Sequence, residues 1–365
     1  MPREGIERIT LKLKGGDKQL SRRVVPGWEI GSTDTFTQRI FLASPSGSYL
    51  AWVDPKVNSI KLRDRRGRLR SIAGAGGYDI RFSADERRLA AIRAQAGSGG
   101  AKTDVFVVDL ATGEERVLGQ AGQALWLEWV ADGVVVSHDQ GDKRFITYLP
   151  LEGEPVQVAS GSKSDLQYRF TSARRGHRAM YFFQNRAYVV DVQAEEADAR
   201  EVGAVDRVID NTEMAPDGSE AAVVIGSAVH RWKQGGELAL VGMDAAHTVW
   251  YSGDGKRLAY ASLEKAVVLV GDARHELAAP DYDLNGMRFH GGELVVSKGN
   301  QALLWNPETG AKKVLGKSPK GHTVQAAHLY QGGAVLWTRE VRRTDRIDRR
   351  RAQKNAAPEP FALAD

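Results

Sequence analysis

The 365-residue chain contains no cysteine, which excludes a disulfide framework, a thiolate metal site and a cysteine nucleophile. No stretch approaches the roughly 18 apolar residues of a membrane span. The opening MPREGIERITLKLKGGDKQL alternates charged and apolar side chains, with no apolar segment followed by a small-residue cleavage site; a soluble protein retained in the cytoplasm is expected. The eight histidines (His138, His177, His230, His247, His275, His290, His322 and His328) show neither His-x-His nor His-Glu-x-x-His spacing, and no metal site is assigned from them. The glycine-rich loop 97–100, although followed by Lys102-Thr103, lacks the Gly-Lys-Ser/Thr ending of a phosphate loop. Gly161-Ser162 and similar pairs lack the strand-to-helix setting of a nucleophile elbow. No catalytic residue and no cofactor are expected on these grounds.

What the chain does have is repetition. Residues 78–119 read as a strand (79–82), a polar corner (Ser83 to Glu86) and a second strand (89–94), then a Gly-rich loop, a third strand (104–110), a Thr112-Gly113-Glu114 turn and a fourth strand. The corner recurs at Gly47, Glu86, Gly133, Gly176, Gly218, Gly255, Gly292 and Gly333, in steps of 39, 47, 43, 42, 37, 37 and 41 residues. That spacing matches the roughly 40 to 45 residues of a four-stranded propeller blade. After most corners comes a short run of small, β-branched or aromatic residues, such as RLAAI, EAAVVI and RLAYAS, suited to a strand sandwiched between two neighbours. The outer strands, such as ERVLG and KKVLG, are more polar, as solvent-facing edges must be.

The expected fold is therefore all-β: a β-propeller of four-stranded antiparallel blades filling residues 1–338, followed by a charged arm over 339–365. The last corner has only two strands beside it (324–329 and 334–338), and the N-terminal segment 6–25 supplies two strands with no blade of their own. Joining them gives eight blades with one closed by both termini, which leaves no open edge. The alternative is seven blades, if the unit at Gly176 or Gly333 is not one.

The corners and turns resemble the TolB-like and WD40-like bacterial propeller repeats. The matching residues are Ala215-Pro216-Asp217-Gly218, Ser252-Gly253-Asp254-Gly255 with Leu258-Ala259-Tyr260, and Val108-Asp109-Leu110 with Thr112-Gly113-Glu114. The resemblance covers nearly the whole chain and implies the fold, not an activity. No extra N-terminal domain, Trp-Asp dipeptide or appended hydrolase domain is visible, so it implies a stand-alone propeller.

Candidate functional residues come from two places. The positions just before the innermost strands offer carboxylates and amides: Asp79, Asp210 with Asn211 and Glu213, and Asp283 with Asn285. Asp79, Asp210 and Asp283 could together hold a divalent cation at a channel mouth; the plainer reading is that such residues cap turns and hydrogen-bond loop backbone. Trp126, Gln167 and Trp250 occupy neighbouring positions and favour a binding mouth with aromatic contacts. Trp126 and Trp129, at i and i+3 of one strand, face opposite sides, so one of them is expected at the surface. The second place is the arm. Residues 339–354 hold eight basic and three acidic residues, which accounts for the whole net charge of +5. Arg342, Arg343, Arg346, Arg349, Arg350 and Arg351 are the candidate partner contacts there. Interleaved Asp345 and Asp348 and the lack of aromatics point to an acidic protein rather than to nucleic acid.

The sequence thus leads to a non-catalytic protein-interaction scaffold, a subunit of a multiprotein assembly. The alternatives are a propeller hydrolase or lactonase-like enzyme with a cation at the channel mouth, and a nucleic-acid-associated scaffold held by the arm.

Overall fold

The computed structural model describes residues 5–13, 16–24, 41–54, 59–64, 66, 68–72, 79–95, 102–193, 199–205, 209–244, 246, 248–262, 265–278, 287–298, 301–317, 322–330 and 333–340. All the regular elements among them are strands, and they fall into four-stranded antiparallel sheets. Seven sheets are blades of four consecutive strands, numbered one to seven here. They begin with Phe41–Ala43, Ile80–Phe82, Gln123–Val130, Thr171–Ser172, Ile209–Met214, Thr248–Tyr251 and Arg288–His290. The unit at Gly176 is a blade, although its inner strand has only two residues. The remaining four strands form a sheet from both ends of the chain: Gly5–Leu13 pairs with Gly16–Val24 and with Gly333–Glu340, which pairs in turn with His322–Tyr330. His322–Tyr330 lies against strands of blade seven on one side and against Phe41–Ala43 of blade one on the other.

Six apolar clusters fill the six interfaces between successive blades. Strand alternation makes this possible. On the second strand of blade two, Leu89 and Ala91 face blade one, beside Ile60 and Leu62. Ala90 and Ile92 face blade three, beside Leu127 and Trp129. All four are fully buried, so one short strand serves two cores, and small or β-branched residues are what fit between two sheets. The same geometry corrects the expectation for the tryptophans. Trp126 and Trp129 do face opposite sides, one in each flanking cluster, but both sides are interior and they are only 8% and 2% exposed.

The corners repeat one hydrogen-bonding scheme. The first-position serine accepts the N–H five residues on, as in Ser44 with Tyr49, Ser83 with Arg88 and Ser252 with Arg257. The third-position aspartate accepts the N–H two residues on, as in Asp85 with Arg87, Asp217 with Ser219 and Asp254 with Lys256. The fourth residue adopts a left-handed conformation at Gly47, Glu86, Gly218 and Gly255, which explains glycine at three of the four. Between the outer strands, Asp109 accepts the N–H groups of Ala111 and Thr112, and Asn306 those of Glu308 and Thr309. Gly113 and Gly310 follow at positive φ.

Candidate functional site

The blade axis holds a cavity of about 480 Å³. Its wall is set by one register position of the inner strands, two residues before the corner in most blades. Leu42, Arg81, Glu128, Glu213, Trp250 and Arg288 occupy it, opposite Ala51, Ala90, Val135, Ala222, Ala259 and Val295 of the second strands. All six line the cavity, together with Trp126, Trp129, Arg174, Phe82, Tyr251 and Phe289. A cavity of this size, with aromatic walls and a few charged groups, has the make-up of a small-ligand site.

The charges are paired unevenly around the ring. Arg81 is held by Asp79 at 2.5 Å, and Glu128 of the next blade lies 3.4 Å away. Desolvation opposes its charge, but the carboxylates of Asp79, Glu128 and Glu213 outweigh that and raise its pKa above the ordinary arginine value. Trp126 lies beneath the guanidinium, 5.8 Å from carbon to ring centre, and donates its indole N–H to Glu128. Glu213 pairs with Arg174 of the preceding blade at 2.7 Å. Burial nonetheless pushes the Glu213 carboxyl up, with Arg174 pulling against it and Glu128 reinforcing it. Arg288 differs from both other arginines. It stacks over Trp250 at 5.3 Å and donates to the Met287 carbonyl at 2.8 Å, but makes no ion pair among the described residues. Burial pushes it down to about 10; Glu213 offsets part of this, while Arg174 and Arg81 add to it.

The sequence-derived candidates are dispersed by this geometry. Asp79 is 1% exposed, and besides its pair with Arg81 it accepts the backbone N–H of Leu127 in the next blade. It staples two blades, and its oxygens are directed at those donors. Gln167 does the same two interfaces further round, between blades four and five, accepting the N–H of Ile209. Asp210 has an exposed side chain, and its backbone carbonyl accepts from Arg169. Asp283 and Asn285 lie outside the described residues, as do Arg342, Arg343, Arg346, Arg349, Arg350 and Arg351. Among the described residues no cluster of three His, Asp or Glu side chains is placed to hold a metal ion. Trp126 and Trp250 are brought together on the cavity wall, each beneath an arginine.

Arg81, Glu128, Arg174 and Arg288 are absent from the sequence-derived candidates. The signal lay in the repeat itself: aligned on their corners, the inner strands of blades two and three place Arg81 and Glu128 at a position whose neighbours on both sides are buried and apolar. Where the inner strand of blade four begins, Tyr168 is 38% exposed, and Arg169 stacks on both Tyr168 and Trp126, 5.7 and 5.6 Å from their ring centres.

These features define a β-propeller with a charged, aromatic axial cavity, and comparison with solved structures supports that fold. The chain is similar to a eukaryotic initiation factor (12% identity, TM-score 0.51, covering 91% of this chain and 98% of that one). It is also similar to virginiamycin B lyase from Staphylococcus aureus (11%, 0.50, covering 82% and 93%) and to Kluyveromyces lactis Hsv2 (12%, 0.51, covering 75% and 96%). No protein-family model matches the sequence, and no curated protein does. The resemblance to propeller-repeat proteins therefore holds at the level of fold.

Proposed function

We propose that the protein is a non-catalytic interaction scaffold, a cytoplasmic propeller that serves as a subunit of a multiprotein assembly. In this reading the sheet built from both chain ends is the eighth blade of one closed ring. The observation that carries the reading is the Tyr168–Arg169–Trp126 stack. Tyrosine, tryptophan and arginine are the residue types that dominate protein-protein binding energy when clustered on a rigid support, and here an exposed tyrosine and an arginine rest on a tryptophan locked between blades. Stapled blades present such a patch at little conformational cost. The basic residues Arg342, Arg343, Arg346, Arg349, Arg350 and Arg351 extend the contact toward an acidic protein partner. Trp126 supports the patch from below, and Trp250 belongs to the cavity.

The test is affinity capture with the full chain, with a chain ending at Glu340 and with Arg169→Glu, the retained protein being identified and then titrated against each in purified form. A partner whose affinity falls at least tenfold for Arg169→Glu supports the reading. Capture that is unchanged by both alterations, or capture of nucleic acid lost only with the arm, overturns it.

A further inference from the structure

We propose that the axial cavity is a binding site for a small organic anion, whose carboxylate or phosphate group is received by Arg288 and whose planar apolar body lies against the cavity's aromatic wall. The inference stands apart from the docking patch at Arg169 and does not require it.

Three observations converge. First, the cavity is large enough for a ligand, at about 480 Å³, and Trp129, Trp250, Tyr251, Phe82 and Phe289 supply flat apolar surface. Second, its cations differ in occupancy. Arg81 and Arg174 each have a carboxylate within hydrogen-bonding or ion-pairing distance, whereas Arg288, at the same register position as Arg81, has among the described residues a backbone carbonyl and the face of Trp250 but no ion-paired carboxylate. A half-buried guanidinium with no described counter-ion is under-compensated, and a bidentate oxyanion restores what it lacks. Third, the neighbouring charges leave Arg288 uncompensated. Glu213 and Glu128 attract it and Arg174 and Arg81 repel it, and together they do not offset its burial. Glu128 and Glu213, on the same wall, are already engaged by Trp126, Arg81 and Arg174. They limit the total charge the site can accept, which fits one anionic group on a small ligand rather than a polyanion.

The experiment titrates the full chain with phenyl phosphate, benzoate, inorganic phosphate and neutral benzyl alcohol, followed by tryptophan fluorescence and by the shift in melting temperature. Saturable binding of phenyl phosphate or benzoate is expected, at least about tenfold tighter than inorganic phosphate or benzyl alcohol, since each of those lacks one half of the interaction. Phenyl phosphate outranking benzoate assigns a phosphate ligand, and the reverse order a carboxylate. Arg288→Met should weaken binding by about tenfold or more, the scale of a charged hydrogen bond. Arg288→Lys should retain part of it, and Arg186→Gln, a surface control, all of it. Absence of saturable binding to the unaltered chain up to about 10 mM (an affinity weaker than about 3 kcal/mol) overturns the proposal, as does equal binding by a folded Arg288→Met protein. If Arg288→Met does not fold, binding that is weakened in a folded Arg288→Lys variant supports the assignment, and affinity unchanged from the parent overturns it.

Discussion

Arg81 and Arg288 occupy the same register position in blades two and seven, and both sit over a tryptophan, yet their environments push them in opposite directions. Around Arg81 the chain supplies Asp79 and Glu128, and the arginine is held more firmly protonated than usual. Around Arg288 no described carboxylate comes within ion-pairing distance, and burial weakens the hold on its proton, with Glu213 offsetting only part of this. One side of the cavity wall is therefore a closed structural joint, in which charge fastens one blade to the next. The other presents an open valence. The joint is reinforced in backbone terms too, since Asp79 accepts the Leu127 N–H and Trp129 donates to the Arg81 carbonyl.

The largest effect should come from breaking the joint. Asp79→Ala leaves Arg81 without its closest partner and the Leu127 N–H without an acceptor, both withdrawn from water. Loss of one member of a buried pair is worth about 3 to 5 kcal/mol, so a marked fall in the denaturant midpoint is expected. Replacing both members, as Asp79→Leu with Arg81→Met, should recover much of that loss, because the unmatched charge goes with the pair. A double variant no better than Asp79→Ala would show that the hydrogen bond to Leu127, rather than the charge, is the essential part. On the open side the sign reverses. Arg288→Met removes a desolvated cation with no described counter-ion and keeps the contact with Trp250, so in the absence of ligand it should stabilise the chain by about 1 kcal/mol. A loss of stability would place Arg288 in a joint of its own.

The contrast also shows what was readable in the sequence. Corner spacing gave the blades because the corners ending at Glu86, Gly218 and Gly255 obey a local rule: a serine or alanine to start, an aspartate to gather N–H groups, and a left-handed fourth residue. The alternation of Leu89, Ala90, Ala91 and Ile92 gave the sandwiched strands. The cavity wall was harder to read because a charged residue in a short inner strand looks like any solvated residue, and Arg81 and Glu128 become meaningful only once the ring brings successive blades together, 47 residues apart. For the same reason the backbone acceptor role that was the plainer reading of Asp79 could not be assigned a partner: Leu127 is local in space and remote in sequence. Trp126 and Trp129 were read correctly as facing opposite ways. What the strand could not reveal was that both directions lead into cores.

A smaller effect, at the level of the corners, compares Glu86 with its glycine counterparts. Glu86 stands where Gly47, Gly218 and Gly255 stand, at φ 57°. A side chain in that region is unfavourable by about 1 kcal/mol, yet the Glu86 carboxylate reaches blade one, accepting the Ser46 N–H and, at 2.6 Å, the Ser46 hydroxyl. Both contacts are exposed, so they offset the strain without greatly exceeding it. Glu86→Gly should leave stability within about 0.5 kcal/mol, whereas Glu86→Val, which keeps the strain and loses the contacts, should destabilise by about 1 to 2 kcal/mol.

The last comparison is between carboxylates, and it can be resolved by pH. Asp109 and Asp217 are held below the ordinary aspartate range chiefly by backbone N–H groups. Their contribution is present above about pH 4 and is lost as pH falls through their folded-state values. Glu213 runs the other way. Burial raises its carboxyl above the ordinary glutamate value, so the folded state binds the proton more tightly than the unfolded one. Its contribution to stability therefore declines as pH rises from about 4.3 toward the folded-state value. Glu213→Gln imitates the protonated form and frees Arg174, which is exposed enough to be solvated. The variant should be more stable than the parent at pH 7, by up to about 1 kcal/mol, and the difference should shrink toward zero near pH 4. Denaturation midpoints at the two pH values check both sign and window. A variant less stable at pH 7 would mean that the pair with Arg174 outweighs the burial of Glu213, making this a second closed joint like the one at Arg81 and leaving Arg288 as the open position of the wall.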